Sequence, residues 1–276
     1  MDIFATSAIR RRVLDAWAAS PARFREDANA EEELARGAYR DRVVVELAQN
    51  AADAAARHDG QGRLLLRLEG LTLTAANTGA ELDAAGVEGL STLRASAKRD
   101  ELATVGRFGV GFASVLAVTD EPVVLSRAGG VRWSRVQARE LAAGVPELES
   151  ELARRGTAVP VLRLPYPASG EPPEGYDTAV LLPLRDGAAH ALARDLLAAV
   201  DEALLLTLPA LAEVVVDVDG VRRTLRAGPS TPVPPAADGS PVEPPAADGS
   251  PGEPSVTLDE RTVGLRWRSV SLTGTA

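Results

Sequence analysis

Residues 43–57 read VVVELAQNAADAAAR and decide how the rest of the chain is read. At about 100° per residue, Glu46, Gln49, Asn50 and Asp53 share one narrow helical stripe with Arg42 and Arg57. Val43, Val44, Leu47, Ala48, Ala51, Ala54 and Ala55 cover a much wider arc. The pattern predicts a helix from about residue 38 to residue 58, stopped by Asp59-Gly60, mostly buried and carrying a single polar seam. Taken alone, such a seam is what any surface helix turns to water. A carboxylate, a carboxamide and a second carboxylate at this spacing gain chemical meaning only beside a second motif.

That motif is Gly106-Arg107-Phe108-Gly109-Val110-Gly111-Phe112, followed by the apolar run Ala113-Ser114-Val115-Leu116-Ala117-Val118. Glycines at 106, 109 and 111 remove the Cβ atoms that block close backbone approach. The apolar run reads as a buried helix whose first-turn amides point into the glycine loop, which makes a phosphate cradle. A glycine-rich turn by itself reads equally as a plain tight turn. The conjunction is more specific: an acid-amide helix, then an anion-binding helix start about sixty residues on.

The chain has 276 residues, 45% of them hydrophobic, enough for one large domain or two small ones with a core. Aromatics make up only 4%, so that core must be built from Leu, Val and Ala. With no cysteine, disulfides, thiolate metal sites and a cysteine nucleophile are excluded. His58 and His190 lie far apart without ligand-spaced partners, which argues against zinc. The net charge of −9 argues against nucleic acid and anionic membranes as partners. No stretch approaches the roughly eighteen consecutive apolar residues of a spanning helix, and the first residues lack a signal-peptide pattern. A cytoplasmic protein is the default expectation.

Along the chain, residues 7–19 carry Ile9, Val13, Leu14 and Trp17 at helical spacing, and Pro21 ends that element. Residues 23–29 read as a polar connector, with Asn29 capping a short helix over 30–37. Residues 63–69 and 71–76 form a predicted hairpin about Glu69-Gly70, and the second strand delivers Asn77-Thr78-Gly79. A helix over 83–90 precedes residues 91–100, a small-residue basic segment that reads as a lid or as a surface loop. Residues 122–127 and 131–137 read as another hairpin, and 159–165 and 178–184 as strands. One helix is expected over 188–206. Strands over 213–218 and 221–225 flank Asp219-Gly220, the strongest short hairpin signal present. The octet PPAADGSP occurs at 234–241 and again at 244–251, which reads as a flexible tether. The expected organisation is therefore a domain over 1–227, a linker over 228–254 and a strand pair within 255–276. That pair either joins the first sheet or opens a further domain, and the chain reads as the front of a longer protein.

These pieces, in this order, resemble the GHKL ATPases, the superfamily of gyrase, the ninety-kilodalton heat-shock chaperones, histidine kinases and MutL. The similarity is closest to the chaperones and to sacsin-like proteins, and it spans residues 38–184. The resemblance implies an α+β Bergerat fold: a two-layer sandwich whose mixed, mostly antiparallel sheet is covered by helices on one face. It also implies ATP and Mg²⁺ as cofactors. Glu46 would be the general base, Asn50 the Mg²⁺ ligand, and Asp53 a support of the same pocket. Asn77 and Gly79 match the box that reads adenine, with Leu82 just beyond. Lys98 would reach the phosphates from the lid. Gly106, Arg107, Phe108, Gly109, Val110, Gly111 and Phe112 match the box whose amides hold the phosphates, and Thr178 would meet the adenine edge. Asn77 stands where the family carries Asp, a neutral acceptor in place of a charged one, and Glu81 replaces a glycine of the same box. Weaker adenine binding is expected from both. The resemblance thus implies a slow ATPase module of a chaperone-like protein, with client proteins or downstream domains as further partners. The alternative is a pseudo-ATPase that serves as a scaffold.

Overall fold

A computed structural model describes residues 2–37, 39–58, 60–91 and 111–227, together with the backbone of 255–258 and 261–264. The lid expected at 91–100 lies, beyond Ser91, outside the described residues. So do Lys98, Gly106, Arg107, Phe108, Gly109, Val110 and the tether.

The seam helix is α3 (Val43–Ala56), entered through a 3₁₀ turn at Arg40–Arg42. Its apolar arc explains where it lies: Val44, Leu47, Ala48, Ala51 and Ala55 are buried against a sheet whose facing side chains include Leu64, Leu66, Leu68, Leu73, Ala75, Leu182, Val214 and Val216. The strands that supply them are β1 (Gly62–Glu69), β2 (Thr72–Asn77), β6 (Thr178–Pro183) and β7 (Leu211–Val218). The remaining described strands are β3 (Val123–Ser126), β4 (Gly129–Arg132), β5 (Tyr166–Ala168), β8 (Val221–Ala227), β9 (Ser255–Leu258) and β10 (Arg261–Gly264). Their spatial order is β10-β9-β8-β7-β1-β2-β6-β3-β4-β5. Among the described residues every pairing is antiparallel except β1 with β7, so the sheet is mixed and mostly antiparallel. With helices packed on one face, the architecture is an α+β sandwich. The strand pair near the chain's end continues this sheet, β9 pairing with β8.

The other face of the sheet carries only a small cluster: Leu65, Ala76, Ala179 and Val215, with Tyr176 and Leu181 against them. A second core lies among the helices, where Trp17 of α1 (Thr6–Ala19) meets Phe24 of α2 (Pro21–Arg36) edge to face at 5.1 Å. Ala138 and Ala142 of α5 (Arg135–Ala143), and Leu148 ahead of α6 (Glu149–Arg155), complete it. No helix of the described residues is long and apolar enough to cross a membrane.

The structure corrects several boundaries, each for a local reason. Residues 23–29 are helical: Pro21, whose fixed φ suits the first helical position, opens α2, and Asn29 lies inside it. Residues 159–165 form no strand, because the Glu31 carboxylate accepts the backbone N–H groups of Val161 (2.6 Å) and Leu162 (3.1 Å) that a ladder would need. The strand forms one step later as β5. The hairpin at 123–132 closes about Arg127-Ala128, and its second strand stops at Arg132 since Ser134 caps α5 by accepting from the Gln137 N–H. The helix expected over 188–206 is two, α7 (Gly187–Ala198) and α8 (Glu202–Thr207), with Asp201 capping the second. The first hairpin turns at Gly70-Leu71, since Glu69 still pairs with Thr72. The apolar run after the glycines is a buried 3₁₀ helix, Phe112–Ala117. The helix expected over 83–90 is α4 (Ala84–Ser91). At Asp219-Gly220 both φ angles are positive, 49° and 84°, as a type I′ turn between Val218 and Val221 requires.

Candidate functional site

The sequence motifs converge on the two ends of α3. At its first turn Glu46 is nearly buried, its side chain 12% exposed. An ideal Cβ built on Gly111 would fall inside the Glu46 carboxylate. The last glycine of the glycine-rich box therefore lies directly against the acid of the helix seam. Burial pushes the Glu46 carboxyl up, and the guanidinium of Arg42, whose Nε lies 3.3 Å from Oε1, opposes that rise. Gln49 and Asn50 are half-buried on the same stripe, and Asp53 is buried.

At the far end of α3 the chain leaves β2 through Asn77-Thr78-Gly79. Gly79 has φ +125°, and a Cβ there would meet the Ala54 carbonyl oxygen at 2.6 Å. Only glycine lets the backbone pass so close beneath the helix. The next amide, that of Ala80, donates to the same oxygen at 2.9 Å. Asn77 is 8% exposed and its Nδ2 donates to the Thr78 carbonyl at 3.2 Å, which leaves Oδ1 as the acceptor. Across the ladder Asn77 is paired with Thr178, and Thr178 with Ser126, so the three side chains share the helix-covered face at neighbouring strand ends. Thr178 Oγ1 is buried and, among the described residues, has no hydrogen-bond partner. A buried hydroxyl in that condition costs about 1–3 kcal/mol unless something else satisfies it.

Two residues that the sequence reading did not assign complete the picture. Asp177 fastens the exit turn: its Oδ2 accepts from the Gly79 N–H at 3.0 Å, its own N–H donates to the Asn77 carbonyl, and Arg127 pairs with it at 3.1 Å. Its place just before the strand that carries Thr178 was the available signal. Arg42 was visible only as part of the seam. Phe112 is in the core, 3% exposed with its ring 5.6 Å from that of Trp133, and Leu82 packs half-buried on the same core.

Among the described residues no three His, Asp or Glu side chains gather into a metal site. Two clefts lie elsewhere. One of about 340 Å³ sits on the outer sheet face beside Arg67, Thr74 and Leu181. The other, about 640 Å³, lies between α2 and α7 and is lined by Glu31, Arg36, Asp120, Arg135 and Arg185. Neither touches Glu46, Asn50 or Asn77, and in the second the acids and arginines balance.

The arrangement sets a carboxylate against a glycine backbone at the first turn of α3, and at its far end gathers Asn77 and Thr178 with the Asp177 carboxylate, which is tied to Gly79 and Arg127. Compared with known proteins, the chain matches no family profile and no curated sequence.

Proposed function

We propose that the chain is an ATP-binding module of the GHKL type, with the Bergerat arrangement, and that it hydrolyses ATP slowly. The observation that carries this reading is the seating of Glu46 against Gly111, which brings the acid of the seam to the end of the phosphate-binding box. The far end of α3 fits the base: Asn77 Oδ1 is an acceptor for an exocyclic amine, and the buried Thr178 Oγ1 is a hydroxyl without a partner among the described residues. Gly111 is the place where a side chain would displace the Glu46 carboxylate, and Gly79 the place where one would strike the backbone of α3.

When bound, Mg²⁺ supplies charge compensation to the phosphates, and Asn50 is the side chain that would hold it. Glu46 orients a water molecule and takes its proton, and its largely buried carboxylate is a stronger base than one in water. Glycine-box amides stabilise charge on the terminal phosphate. Lys98 would reach the phosphates, and nucleotide state would pass to downstream domains or client proteins in a cytoplasmic setting.

Calorimetric titration with Mg²⁺ and a non-hydrolysable ATP analogue tests binding, and Glu46→Gln tests chemistry. The variant should bind as the wild type does while turnover falls about 10²-fold or more. Hydrolysis at the wild-type rate would falsify the role given to Glu46. Asn50→Ala should weaken Mg·ATP binding instead.

A second reading, a scaffold that has lost its nucleotide, is favoured by the neutral Asn77 in place of an acid. Absence of binding heat, restored by Asn77→Asp, would establish it.

A further inference from the structure

Arg42 occupies a position that helix physics alone disfavours. It stands immediately before α3, at the positive end of the helix dipole, and four residues ahead of Glu46, the poorer order for an ion pair on a helix. Half-exposed pairs of this kind contribute little to stability. Yet the guanidinium lies over the Tyr39 ring, 5.5 Å from its centre, with Nε 3.3 Å from Glu46 Oε1. On its other side the same carboxylate meets Gly111. We propose that Arg42 is the positioning residue of this site, clamping the Glu46 carboxylate against the end of the glycine-rich box. The inference rests on the reading of Glu46 as the water-activating base.

A clamp of this kind has an electrostatic consequence. Burial favours the neutral carboxylic acid, which cannot accept a proton from water, and Arg42 favours the ionised form that can. Among the described residues, the other charged groups on packed elements leave the matter to these two. Strands β1, β2 and β7 present Leu64, Leu66, Leu73, Ala75 and Val214 to the helix, and the 3₁₀ segment Phe112–Ala117 has no ionisable side chain. The 3₁₀ turn before α3 brings Arg40 and Asp41, and α7 brings His190, Arg194 and Asp195. Among the described residues, burial and Arg42 are the influences that act on the Glu46 carboxyl.

The test is a carbon-13 NMR titration of the Glu46 carboxyl in the whole 276-residue chain without nucleotide, in wild type, Arg42→Gln and Arg42→Lys. In Arg42→Gln the midpoint should move to higher pH, and Arg42→Lys should bring it back toward wild type. In steady-state assays at neutral pH, Arg42→Gln should lower kcat about tenfold with KM for Mg·ATP within about twofold, and lysine should restore most of the rate. A Glu46 midpoint that does not move overturns the role of Arg42, as does a raised KM at unchanged kcat, which would make Arg42 a phosphate contact. The readouts separate the two claims. A chain that binds no Mg·ATP removes the nucleotide reading, whereas an unmoved Glu46 in a chain that does bind it removes the clamp alone.

Discussion

At Gly111 the missing side chain makes room for a carboxylate, while at Gly79 it makes room for backbone, and the two should respond differently to the same substitution. Gly111 has φ −66°, open to any residue, and its crowding comes from the movable end of Glu46. Gly111→Ala should therefore leave the melting temperature close to wild type and displace Glu46, which on the proposed ATPase reading lowers turnover at least about tenfold. Gly79→Ala meets both a positive φ and the fixed carbonyl of Ala54, so it should cost more than about 1–2 kcal/mol in urea denaturation. A Gly79→Ala chain as stable as wild type would contradict the close passage beneath α3. Both glycines were legible as motif positions. What each glycine accommodates was not, because it depends on a neighbour from a different element. Arg42 shows the same limit: its spacing to Glu46 is visible in the sequence, but its role is set by the Gly111 contact on the far side.

Among the elements, α2 holds the greatest departure from the sequence reading. Glu31 is 3% exposed and Arg163 equally buried, their closest approach 3.6 Å. Burial pushes the Glu31 carboxyl up and the Arg163 guanidinium down, while their mutual attraction, and for Glu31 the two backbone N–H groups, oppose this. Hydrophobic periodicity sees neither residue as interior, which is why 23–29 reads as a connector and 159–165 as a strand. Removing Glu31 leaves the buried Arg163 with only the more distant Asp27 (3.8 Å) among the described residues, so Glu31→Gln should cost about 3–5 kcal/mol by chemical denaturation. Glu31→Leu combined with Arg163→Leu should recover part of that loss, the shortfall coming from the Val161 and Leu162 amides left bare. If Glu31→Gln unfolds at wild-type denaturant concentrations, the carboxylate does not organise this loop. The split of the 188–206 helix has a similar origin: Arg223 of β8 donates to the Leu197 and Val200 carbonyls, both at 2.6 Å, and closes α7 from outside. By contrast, hairpins set by contiguous residues, such as Val218 to Val221, were readable directly.

At the scale of the molecule, charge and topology each make a prediction. Asp120 accepts from Arg185 and Arg135, both at 2.8 Å, tying the end of the 3₁₀ segment to α5 and to the end of β6. Burial tends to raise its carboxyl, but these two arginines hold it below the ordinary value of 3.8. The stabilisation is therefore present above that value and lost as pH falls through the still lower folded value. Asp120→Asn should cost about 1–3 kcal/mol at neutral pH, and urea titrations should show the gap to wild type closing below about pH 4. The α+β class and the helix-on-sheet order followed from the periodicities and the motif resemblance. The strand order did not, since β1 lies between its hairpin partner and a strand about 150 residues later. That parallel neighbour, β7, begins at Leu211. Until it arrives, one edge of β1 is an exposed template for any extended chain. Closing the centre of the sheet thus requires bringing together the ends of most of the polypeptide, an entropic barrier met before its contacts reward it. Refolding should accordingly take milliseconds to seconds rather than microseconds, and a ribosome must deliver more than two hundred residues before the middle of this sheet can zip shut.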